Sequence, residues 1–199
     1  GAGIGAGLGT LLAFYEVGCK NHFSLISIII FVLALSAAFV PFESQKNKKE
    51  ANSPFISIPK GSLLPVATIT FFASLREGAV ADWSAIFLKS VASLNDGNAA
   101  LGFTVFSVCM FSMRLLGDRI SFILGPATAA RYSGLVALTG SIILLVSDSF
   151  LLLLLGFGLI GLGIAVIIPL AFSRAGNDET ISQGTAIASI ATLGYGGML

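Results

Sequence analysis

The chain has 199 residues, of which 55% are hydrophobic and 11% charged, with a net charge of +1. A soluble domain carries about 25% charged residues, so this composition is that of a membrane protein. The near-neutral balance leaves no electrostatic footprint for nucleic acid or an acidic partner. Two cysteines, Cys19 and Cys109, and one histidine, His22, are too few for a typical zinc site. No nucleophile–base cluster is seen either, so neither a metal, a cofactor nor an enzymatic activity is expected.

Gly1 to Val17 is apolar, with glycines at positions 1, 3, 5, 7 and 9. The Gly1/Gly5/Gly9 and Gly3/Gly7 spacings let two helix backbones approach closely, and Glu16 lies at the end of the segment. The polar stretch from Gly18 to His22 reads as a tight turn, and Phe23 to Pro41 as a second span. Phe42 to Ser62 carries Glu43, Lys46, Lys48, Lys49, Glu50 and Lys60 with Pro54 and Pro59, and has no regular periodicity. It reads as a flexible linker between two bundles. Leu63 to Leu88 is the third span and Asn98 to Leu116 the fourth, followed by a short link from Ile120 to Gly125. Pro126, tolerated in a first turn, opens a fifth span that runs to about Val146. Phe150 to Phe172 is the sixth, with Gly156, Gly158, Gly161, Gly163 and a late Pro169, and Ile181 to Leu199 begins a seventh. Gly1 in place of Met and an apolar run at Leu199 give the expectation of a fragment of a longer protein.

With the linker on the cytoplasmic side, Lys46, Lys48, Lys49, Lys60, Arg114, Arg119, Arg131 and Arg174 collect there and only Lys20 and Lys89 opposite, eight against two. Short loops rich in Lys and Arg stay cytoplasmic, which fixes the expected topology in a bacterial inner membrane.

Leu63–Leu88 is the span around which the others are organised, because it holds Arg76, Glu77 and Asp82 inside its ends. A charge at the bilayer centre costs at least about 2.5–3.5 kcal/mol, so it faces a partner or a wet cavity. Glu77 lies 14 residues from Leu63 and 11 from Leu88, close to mid-membrane, which makes it a candidate proton carrier. The plainer alternative is that Arg76 neutralises a carboxylate on another helix. Trp83 can stack on a sugar ring, although an interfacial aromatic belt is the commoner role.

Two helices, a basic linker and five further helices resemble the middle and carboxyl-terminal part of a major facilitator superfamily transporter. The stretch from Arg114 to Arg119, RLLGDR, resembles that family's cytoplasmic signature after helix eight, with Met113 standing where glycine is usual. The stretches EGAVADWS from Glu77 and ATLGY from Ala191 are similar to segments of fucose-permease and sugar-transporter members. The resemblance implies an all-α polytopic membrane protein, a partial twelve-helix bundle of about seven spans. It divides into 1–41 (helices five and six), 42–62 (central linker) and 63–199 (helices seven to ten and most of eleven). It also implies a monomeric secondary transporter that moves a small solute, sugar-like and proton-coupled, by alternating access. On that reading Arg76, Glu77, Asp82 and Trp83 line the substrate and proton cavity, and Gly78 is a weak point for bending. Arg114, Gly117, Asp118, Arg119 and Arg131 form a cytoplasmic gate. The alternative is a non-transporting sensor or scaffold on the same fold.

Overall fold

The computed structural model describes residues 19–38, 58–92 and 96–198. The glycine-rich first segment with Glu16, and linker residues 42–57, lie outside the described residues. Among the described residues seven helices follow in order: α1 (Cys19–Ala38), α2 (Leu63–Ala92), α3 (Asp96–Leu124), α4 (Pro126–Val146), α5 (Phe150–Ile164), α6 (Ile167–Gly176) and α7 (Gln183–Gly196). Among the described residues there is no strand.

Among the described residues four stretches are long and apolar enough to cross a membrane: Leu63–Ala92, Gly97–Leu124, Pro126–Val146 and Phe150–Gly176, the last counting α5 and α6 together. Large apolar side chains such as Phe122 (91%) and Leu145 (84%) stand exposed on their outer faces. Such an outward apolar surface suits lipid as the solvent.

Three boundaries differ from the sequence reading, each for a local reason. Residues 19–22, read as a turn, are the first turn of α1, where the Lys20 carbonyl accepts a hydrogen bond from Ser24 Oγ at 2.8 Å. No Gly or Pro interrupts them. Secondly, α3 does not stop at Leu116 but runs to Leu124, so the RLLGDR motif is helical and not a loop. What stops α3 is Gly125, at φ +80°, a conformation that L side chains rarely adopt, followed by Pro126 in the first turn of α4.

The third difference is a break in the sixth span at Ala165–Val166, between α5 and α6. Pro169 explains it. Its missing N–H leaves the Ala165 carbonyl without the usual donor four residues on, and its ring collides with that carbonyl. The ladder resumes with Leu170 N–H donating to Val166 O at 3.1 Å.

The break divides the core. One cluster joins α2, α3, α4 and α5 through Leu88, Phe106, Met110, Leu153, Phe157 and Ile160. Glycine lets these helices approach closely: a Cβ on Gly163 would stand 2.5 Å from Ala137 N. The second cluster joins α2, α6 and α7 through Leu63, Ala67, Ala171, Ala175, Ala186 and Ile190. Only α2 belongs to both.

Candidate functional site

Neighbouring residues on a helix point about 100° apart, so Arg76 and Glu77 look out on different faces of α2. Glu77, the fifteenth of thirty residues in α2, faces α3. There its Oε2 meets Arg114 Nη2 at 3.6 Å, with the Glu77 side chain 15% and that of Arg114 43% exposed. The pair lines a cavity of about 230 Å³ with Thr70, Ser74, Phe172 and Tyr195, drawn from α2, α6 and α7. Arg114 lies ten residues before the end of α3 at Leu124, or about 15 Å along the axis, whereas the sequence reading ended this helix at Leu116.

Arg76 and Trp83 lie on the opposite side of α2, in a separate hollow of about 250 Å³ walled by Phe87, Leu144 and Phe157. The Arg76 Nη2 donates to Ser141 Oγ on α4, and Ser141 Oγ donates in turn to Ala137 O at 2.6 Å. Asp82 is exposed and lines neither space. The four residues expected to share one cavity are thus distributed: Glu77 on one face, Arg76 and Trp83 on another, Asp82 apart.

Of the five motif residues, Arg114, Gly117 and Asp118 border a third hollow, of about 490 Å³, together with Ala165, Val166 and Pro169. The motif therefore faces the helix break. Gly117 is needed there, since a Cβ would stand 2.7 Å from Val166 Cγ1. Arg119 and Arg131 are exposed and lie outside this hollow. Asp118 pairs with neither Arg114 nor Arg119: Arg114 is turned to Glu77, and Asp118 has no cation within 4 Å among the described residues.

A polar clasp that the sequence did not single out lies in the α6–α7 connection. Asp178, its side chain 2% exposed, sits 3.5 Å from Arg174 Nη1. It also accepts from Ser62 Oγ at 3.3 Å, from Thr180 N at 2.9 Å and from Thr180 Oγ1. The Thr180 hydroxyl, then its backbone N–H, holds the Asp178 carboxyl below the usual carboxylate range; Arg174 and Ser62 add to this and burial opposes it. Ser62 immediately precedes α2, so the clasp ties the entry of the charged helix to the exit of α6. A polar residue in a short loop gives no sequence signal of a partner 116 residues away.

No family model matches the chain, and no solved structure matches it. Curated proteins do. An uncharacterised transporter of Sinorhizobium fredii, y4wD, is 34% identical over 198 residues, covering 100% of this chain and 52% of that protein. An uncharacterised MFS-type transporter of Yersinia pestis is 30% identical over 193 residues, 97% of this chain and 50% of that protein. The membrane protein MosC of Rhizobium meliloti is 33% identical over 137 residues, 69% of this chain and 34% of that protein. The chain thus spans about half the length of the first two relatives. It is a polytopic, all-α membrane protein homologous to transporters, one of them of MFS type.

Proposed function

We propose that the chain is the helix-five-to-eleven portion of a major facilitator superfamily secondary transporter, which moves a small solute across the membrane by alternating access. The observation that carries this reading is the Glu77–Arg114 pair, a carboxylate and a guanidinium lining one cavity at the middle of the longest helix. Charges are retained at that depth where a pathway needs them. The transporter names of the relatives support the same reading.

Glu77 and Arg114 offer an acceptor and a donor side by side, which suits a hydroxylated, sugar-like solute. Pairing and unpairing of the two gives a route for proton coupling: a proton on Glu77 frees Arg114, and Arg114 returning to Glu77 expels the proton. Residues 1–41 belong to the amino-terminal bundle, 42–62 to a cytoplasmic linker, and 63–199 to the carboxyl-terminal bundle, in an inner membrane. The Gly117–Asp118 edge of α3, set against the helix break, is the cytoplasmic gate, with Arg119 and Arg131 flanking it.

The test uses the full-length protein in proteoliposomes with an imposed proton gradient and a panel of radiolabelled sugars. Glu77→Gln is expected to exchange solute at a near-parental rate while losing gradient-driven accumulation, with a flat pH profile of uptake. Accumulation with the parental pH profile would exclude Glu77 from coupling. No movement of any solute by the parent would favour a sensor on the same fold.

A further inference from the structure

Hydroxyls on membrane-spanning helices are ordinarily spent on the carbonyl of the preceding turn. Thr68, Thr70, Ser112, Thr139, Ser141 and Thr192 all follow that pattern here. Ser84 does not. It is 2% exposed, its Oγ has no hydrogen-bond partner, and it lines the Arg76 hollow. Arg76 is incompletely used as well. A guanidinium has five N–H donors; Nη2 is anchored on Ser141, while Nε is buried and unpartnered. No carboxylate pairs with Arg76 among the described residues, and adjacent Glu77 is turned to Arg114. A buried donor without a partner costs about 1–3 kcal/mol, more when charged.

What they would hold follows from their spacing. Arg76 and Ser84 are eight residues apart on one helix, about 12 Å. Between them the wall is apolar and aromatic: Val80, Trp83, Phe87, Leu144 and Phe157. The hollow, about 250 Å³, is open on one side, where Trp83 stands exposed. We propose that it is a binding site for a small carboxylate with a flat, apolar body and a second polar group at the far end. The carboxylate meets the free edge of the Arg76 guanidinium, the body lies against Trp83 and Phe157, and the distal group bonds the Ser84 hydroxyl. This site lies on the other side of α2 from the Glu77–Arg114 cavity, and it stands whether or not that cavity carries solute.

The full-length protein in detergent micelles is titrated calorimetrically with 3-(4-hydroxyphenyl)propanoate, its uncharged carboxamide, and 3-phenylpropanoate, which lacks the hydroxyl. The hydroxy acid is expected to bind at least about tenfold more tightly than the amide and about threefold to tenfold more tightly than the des-hydroxy acid. Arg76→Gln removes the first ratio and Ser84→Ala the second, each leaving the other ratio in place. Ser84→Ala keeps the arginine and its Ser141 anchor, so it decides the matter even where Arg76→Gln does not fold. Equal binding of acid and amide, ratios that survive the substitutions, or no binding at all overturns the proposal. The last is the result if an acidic side chain from the rest of the full-length protein already fills the site.

Discussion

Arg76 is the cation beside Glu77 in the chain, yet Arg114 is the cation that reaches it. Helical geometry decides this, because a residue's neighbour in sequence faces elsewhere while a residue on the next helix is opposite. At 3.6 Å, with Arg114 43% exposed, the pair is loose. A double-mutant cycle with Glu77→Gln and Arg114→Gln, read by thermal melting in micelles, should return a coupling of about 1 kcal/mol, the range of partly solvated pairs. A coupling indistinguishable from zero would mean that the two charges are independent. Asp178 makes a pH-dependent contribution of definite sign. Its folded-state pKa is depressed, so its stabilisation is present above the unfolded value of about 3.9 and is lost as pH falls through the lower folded value. Hydrogen exchange of the backbone at Ser62–Leu64 should therefore be flat between pH 5 and 8 once corrected for intrinsic rate, and Asp178→Ala should raise it at every pH in that window. The position of Glu77 at the middle of α2 was legible from the sequence, since it needs only counting along an apolar run. Its partner was not: that required knowing how far α3 extends, and Ser62 with Asp178 required the tertiary fold.

Pro169 acts on the element that carries it. Because it follows the break by three residues, it reads in sequence as a proline near the end of a span, and a single uninterrupted helix is the natural expectation. What turns the last stretch into α6 is the lost bond to Ala165, together with a second core for Ala171 and Ala175 to join. Pro169→Ala supplies the missing donor. Amide exchange across 165–170 should slow, with a gain in helix stability of up to about 3 kcal/mol, while transport by the full-length protein should fall. Unchanged exchange would show that the break is held by the packing of α6 alone. Gly78, by contrast, interrupts nothing. Its α2 is continuous, and a Cβ there would stand 3.1 Å from Met198 O, so this glycine serves close packing. Composition and apolar run length were enough to find the spans of α2, α4 and the α5–α6 pair, whereas the true ends depended on which Gly and Pro positions act as stops.

At the scale of the molecule, two cores share one rod. The cluster around Phe106 and Ile160 and the cluster around Ala67 and Ile190 share α2 and are also joined through the α5–α6 break, so relative motion of the two must be accommodated at those elements. On the proposed topology eight basic residues collect on the linker side, against Lys20 and Lys89 opposite, a positive-inside bias. Cysteines introduced at Ser53 and Ser93 of the full-length protein should accordingly react with an impermeant reagent from opposite faces of the membrane, Ser53 from the cytoplasm. Labelling from the same face would overturn the topology.

The break between α5 and α6 also bears on how the chain enters the bilayer during synthesis. Fifteen residues of α5 reach about 22 Å and ten of α6 about 15 Å, each short of a hydrocarbon layer about 30 Å thick. Neither piece can partition into lipid as a spanning unit by itself, so the insertion machinery must release both together. The break between them then enters the membrane with an Ala165 carbonyl to which Pro169 offers no donor, and α3 packs beside it, where a Cβ on Gly117 would stand 2.7 Å from Val166 Cγ1.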